Sequence, residues 1–75
     1  MRANQVYRLI VRRGGLPRPF AGDRTDHIEV VEMDTLEVVL FWTVPYREAR
    51  GVVRQLRLDL GQLEADEFMA RWEKR

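Results

Sequence analysis

LEVVLFWTVPYREARGVVRQLRLDLG, residues Leu36–Gly61, is the stretch on which the fold turns. Its opening run, Leu36 to Val44, is the most apolar of the chain and is rich in β-branched and aromatic side chains, the composition of a strand. Val44-Pro45 closes that strand. Proline fixes its own φ and lacks the amide that would have no partner at a helix start, so Pro45 suits the first turn of a helix. From there the period changes. Tyr46, Ala49, Val52, Val53, Leu56 and Leu60 recur at helical spacing, which predicts an amphipathic helix to about Leu58 or Leu60 with Gly61 as its stop. Gly51 falls on the opposite, exposed side, where it costs about 1 kcal/mol relative to alanine.

Upstream, Ile28 to Met33 carries a second β pattern, and Asp34-Thr35 between the two runs predicts a hairpin. Asp-Thr is a mediocre turn dipeptide, so a turn longer than two residues is in keeping with it. Gln5 to Arg12 alternates with period two and predicts the first strand, with Tyr7, Leu9 and Val11 on one face and Val6, Arg8, Ile10 and Arg12 on the other. Between these strands Gly14, Gly15, Pro17, Pro19 and Gly22 break both regular structures and predict a long loop over residues 13–27. Downstream, Leu63 and Phe68 stand at the two positions of a hydrophobic staple. Asp66 and Glu67 suit the first turn of a last helix over residues 65–74, and Arg71, Lys74 and Arg75 suit its other end.

The expected fold is α+β: one small domain over residues 1–75, a three-stranded antiparallel sheet (β-long loop-β-β-α-α) with two C-terminal helices packed on one face. The inward face is expected to hold Tyr7, Leu9, Val11, Leu36, Val38, Leu40 and Trp42. Trp42 and Trp72 read as core residues, since each lies on an apolar stripe. Val6, Ile10, Val39 and Phe41 are then left on a face that no element covers. That remainder predicts an interaction face, with a homodimer as the simplest outcome. The bland alternative is that the stems of Arg8 and Arg12, with Glu37, lie over these apolar groups and keep the face wet.

Composition narrows the classes of function. With 45% apolar and 33% charged residues the chain has the make-up of a folded domain, and at 75 residues it buries only about 60% of its unfolded surface. Cysteine and serine are absent and His27 is the only histidine, so no Ser-His or Cys-His nucleophile pair can be assembled. No catalysis, cofactor or small-molecule substrate is expected. Asp23, Asp26 and His27 lack the further ligands a metal site needs, so no metal is expected either. Gly14-Gly15 leads into proline and not into a helix, which weakens a phosphate-cradle reading. No stretch approaches the roughly 20 apolar residues of a membrane span, and the N-terminal run is too broken for a signal segment, so a cytoplasmic address is expected.

Two features point to binding. Arg47, Arg50, Arg54 and Arg57 recur on one flank of the predicted long helix, and no acidic residue stands three or four positions from any of them. Guanidinium forks so arranged suit phosphate or carboxylate groups, which makes nucleic acid the alternative partner. The competing expectation is that Glu64, Asp66 and Glu67 fold back and neutralise the stripe. Within the long loop, Leu16, Pro17, Arg18 and Phe20 belong to a stiff, extended segment suited to docking. Its bland counterpart is a loop pinned across a sheet edge. Taken together, the sequence reads as a non-catalytic protein-interaction or assembly module, self-associating through the free sheet face and the loop.

Overall fold

The computed structural model describes residues 1–14 and 24–74. The elements are α1 (Ala3–Val6), β1 (Tyr7–Arg13), β2 (Thr25–Glu32), β3 (Val38–Pro45), α2 (Tyr46–Gln62) and α3 (Ala65–Trp72). The strands form one antiparallel sheet in the order β1-β2-β3, followed by the two C-terminal helices of the expected α+β arrangement. Among the described residues no helix is long and apolar enough to cross a membrane.

The strand pairing lines up Val11, Ile28 and Trp42 in one row and Leu9, Val30 and Leu40 in the next, so the period-two pattern puts all six on the face beneath the helices. Against this face pack Leu56 and Leu60 of α2 and Phe68 and Trp72 of α3. Ring contacts fix the fit. Trp42 meets Trp72 edge-on with centroids 5.4 Å apart, and Tyr7 stacks on Phe68 at 5.8 Å.

Proline acts where β3 turns into α2. Pro45 is the N-cap, with φ −57° and ψ 142°, and the Tyr46 N–H donates to the Arg24 carbonyl at 3.0 Å, tying the helix start to the entry of β2. At its other end α2 passes through Gly61 and stops at Leu63, whose extended backbone breaks the helix while its N–H donates to the Asp59 carbonyl at 2.8 Å. Gly61 is therefore not the stop. No glycine takes a positive φ, so the left-handed cap that glycine usually supplies is absent among the described residues.

The hairpin differs from the strict alternation. A register shift between Val30 and Val31 sets Val30 opposite Leu40 but Val31 opposite Val38, one extra residue in β3. That bulge ends the inward run at Leu40. Leu36 and Val38, expected inside, are 76% and 52% exposed. Leu36 sits in the five-residue turn with φ 62°, the left-handed region costly for a leucine.

The first residues also depart from the strand expected at Gln5 and Val6. They form α1, which lays the fully buried Ala3 into the core. Its anchors are backbone bonds: Ala3 N–H to the Leu63 carbonyl and Ala65 N–H to the Met1 carbonyl, both 2.9 Å. The charged Met1 amine adds a 3.3 Å pair with Glu64.

Asp59 is an acidic residue in the apolar stripe of α2, only 3% exposed. Its carboxylate accepts from the Trp72 indole Nε1 at 2.9 Å, Gln55 Nε2 at 3.0 Å and Arg71 Nη1 at 3.5 Å. A buried carboxylate needs such donors, and here they join α2 to α3.

Candidate anion-binding groove

Helical spacing carries Arg47, Arg50, Arg54 and Arg57 down one side of α2, all exposed. Each like-charged pair at spacing three or four costs roughly 0.2–0.5 kcal/mol in a helix, so the unliganded stripe is mildly self-repelling. The expected neutralisation does not occur. Among the described residues the ion pairs are Met1–Glu64, Arg12–Glu29, Arg24–Asp26 and Arg71–Asp59, and none involves the stripe. Glu64 stands just past the far end of α2, where it holds the chain's amine, because Leu63 alone separates it from that helix.

The sheet instead adds charge of the same sign. Arg13 follows Tyr7, Leu9 and Val11 in the inward alternation of β1, and Arg24 precedes β2, so both face the same side of α2 as the stripe. A cleft of about 1090 Å³ is lined by all six arginines together with Val11, Asp26, Tyr46, Ala49, Val53 and Leu58. Its one carboxylate is already engaged. Asp26, 6% exposed, lies 3.4 Å from Arg24 Nε and accepts from the Gly14 N–H at 3.3 Å. The lining thus carries a formal +5 while the whole chain carries +1, which leaves −4 on everything outside it.

Tyr46 organises the end of this groove. Its ring has the Arg24 guanidinium at 5.0 Å and that of Arg47 at 6.0 Å, so cation–π contacts hold Arg24, just before β2, and Arg47 of α2 beside one another. Gly14 is required at the same place, since a Cβ there would lie 1.9 Å from the Thr25 carbonyl oxygen. Apolar side chains run between the charges: Val11 is 37% and Leu58 48% exposed. The cleft therefore offers guanidinium forks above an apolar floor.

The outer sheet face is less apolar than alternation implied. Val6 belongs to α1, and Val39, at the bulge, is half-buried and packs against the core. Ile10 is half-buried, and Phe41, 53% exposed, stacks on His27 with centroids 5.7 Å apart. Arg12 Nε reaches Glu29 at 3.4 Å across the same face. His27 Nδ1 is 3.2 Å from Thr43 Oγ1, and it points to the opposite side of β2 from its neighbour Asp26, as adjacent strand residues must. The described residues contain no cluster of His, Asp and Glu fit for a metal. Leu16, Pro17, Arg18 and Phe20, with Asp23, lie outside the described residues.

Sequence reasoning found the stripe but missed Arg13, Arg24 and Tyr46 as its companions. The signal for Arg13 was present, because it continues the Tyr7-Leu9-Val11 alternation by one step. Arg24 and Tyr46 become neighbours because the bulged hairpin register pairs Thr25 with Pro45 and so sets residue 24 beside residue 46, where the Tyr46 N–H meets the Arg24 carbonyl, a register that no local pattern encodes. Compared with known protein families, curated proteins and solved structures, the chain finds no match.

Proposed function

We propose that the protein is a non-catalytic interaction module whose working surface is the arginine groove, and that its partner is a protein segment in which carboxylates alternate with apolar side chains. The observation that carries this reading is the mixed lining: six arginines against one engaged carboxylate, over a floor that includes Val11, Val53 and Leu58. Arginine binds carboxylates in a bidentate fork, and burying the floor adds roughly 25 cal/mol for each Å² of apolar surface removed from water. A nucleic-acid backbone would meet the guanidinium groups equally well, but it offers little to the exposed Val11 and Leu58. Hence the reading favours protein.

The test is fluorescence anisotropy with a labelled amphipathic peptide of Glu and Leu, a mixed-sequence DNA duplex and a single-stranded RNA. The peptide is expected to bind most tightly and to lose affinity as salt shortens the screening length from about 10 Å at 0.1 M to 3 Å at 1 M. The double reversal R50E/R54E is expected to weaken it roughly thirtyfold, taking about 1 kcal/mol for each reversed surface charge. Phe41→Glu, on the outer sheet face, is expected to leave it unchanged. Tighter binding of duplex or RNA than of peptide, with a salt slope of roughly −3 to −4 for four phosphate contacts, would replace this reading by nucleic-acid binding.

A further inference from the structure

Carboxylates gather at the other end of the sheet. Pairing of Arg13 with Asp26 marks the groove end and pairing of Tyr7 with Glu32 the hairpin end, six residues away along β1, or about 20 Å at strand rise. Around Tyr7 the carboxylates of Glu32, Asp66 and Glu73 are close enough to help burial raise its hydroxyl pKa above the usual 10. Beyond them the turn holds Asp34 and Glu37, both exposed.

That turn is also where large apolar side chains stand in water: Leu36 at 76%, Val38 at 52% and Met33 at 38% exposure. It is nonetheless held in shape. The Glu32 N–H donates to the Glu37 carbonyl at 2.9 Å, the Leu36 N–H to the Glu32 carbonyl at 2.7 Å, and Thr35 Oγ1 to Glu32 Oε1 at 3.2 Å. A leucine at positive φ, presented outward by a fixed turn, is backbone strain that raises a hypothesis of function. Carboxylates and apolar groups alternate here as the groove requires, and the tip cannot reach its own groove from the far end of the sheet.

We infer that the acidic, apolar tip formed by residues 33–38 of one copy seats in the arginine groove of a second copy, so that the chain associates head to tail. This rests on the proposed reading of the groove and names its occupant. Leu36 and Val38 meet Val11, Val53 and Leu58, while Asp34 and Glu37 meet the forks of Arg50, Arg54 and Arg57. The contact is heterologous, because groove against groove would oppose six arginines to six. Such contacts propagate into rings or open chains and do not stop at a two-fold dimer. At a formal net charge of only +1, little overall repulsion opposes it.

Sedimentation velocity across a dilution series is the test, with three proteins: wild type, the tip reversal D34K/E37K and the groove reversal R50E/R54E. Wild type is expected to grow in mass with concentration past the dimer and to return to monomer in 1 M salt. Each reversal alone is expected to lose association by roughly tenfold or more. Mixed together they are expected to regain it, since each then supplies the charge that the other's surface needs. A wild type that stays monomeric at high concentration and low salt overturns the inference, as does undiminished association of D34K/E37K. Loss of association on Phe41→Glu but not on D34K/E37K also overturns it, by moving the contact to the outer sheet face. The groove reading is tested separately: D34K/E37K retains an intact groove and is expected to bind the Glu/Leu peptide. A monomeric wild type that binds this peptide loses only the self-association, whereas absence of peptide binding removes the groove reading itself.

Discussion

Truncating Asp59 to alanine tests how the two helices are held together. The carboxylate is 3% exposed and accepts from Trp72, Gln55 and Arg71 at 2.9, 3.0 and 3.5 Å. A hydrogen bond to a charged group is worth about 1.5–3 kcal/mol, which applies most fully to the short bond from the buried Trp72 indole. The Arg71 side chain is 59% exposed, so solvent screening reduces its share to under about 1 kcal/mol. Allowing for non-additivity, Asp59→Ala is expected to cost about 3 kcal/mol. That is a large part of the roughly 4–11 kcal/mol typical of a chain of 75 residues. At 4–8 °C per kcal/mol for a domain of this size, Tm falls by about 12–24 °C. Asp59→Asn keeps an acceptor for the indole and is expected to cost only about 1 kcal/mol. Urea unfolding followed by tryptophan fluorescence measures both, and a double-mutant cycle with Trp72→Phe isolates the shared bond. A loss below 1 kcal/mol for alanine, or equal losses for alanine and asparagine, would refute the reasoning.

Other perturbations separate further parts of the structure. Leu36→Gly, at φ 62° and 76% exposed, is expected to raise stability by about 0.5–1 kcal/mol in urea melts, since relief of left-handed strain exceeds glycine's entropic cost. Gly51→Ala adds a Cβ with nothing within 4 Å and is expected to stabilise by up to about 1 kcal/mol, while Gly14→Ala drives a Cβ to 1.9 Å from the Thr25 oxygen and is expected to destabilise. In a Tyr46→Phe background, absorbance titration is expected to show Tyr7 ionising above 10, and Glu32→Gln to lower that value by removing one of the charges that raise it. Because the folded state holds this proton more tightly than the unfolded chain, the associated stability is intact below pH 10 and is lost as pH rises through the raised value.

How much of this was legible depends on whether a feature is periodic. The Tyr7-Leu9-Val11 alternation, the change of period at Pro45 and the stripe Ala49-Val52-Val53-Leu56-Leu60 each repeat along their own element, and each holds. The two staple positions also keep an apolar setting, Phe68 buried in the core and Leu63 half-buried against it. What failed depended on single events. One extra residue at the β2–β3 bulge reverses the environment of Val38, and a turn of five residues leaves Leu36 outside. Val6 belongs to a helical turn because Ala3 and Ala65 bond backbone groups at opposite ends of the chain, a long-range pairing absent from local pattern. Asp59 is a polar residue on an apolar stripe, interpretable only once Trp72 is seen beside it. For the site, the helical half of the arginine groove could be read from spacing, and its sheet half required the fold.

Amide chemical-shift mapping of ¹⁵N-labelled D34K/E37K titrated with the Glu/Leu peptide bears most directly on the claim that the groove is the working surface. Shifts are expected to concentrate at Val11, Arg13, Arg24 and Tyr46 through Leu58, and to vanish in 1 M salt. Shifts centred instead on Ile10, Phe41 and Thr43 of the outer sheet face, or none at all at low salt, would contradict it.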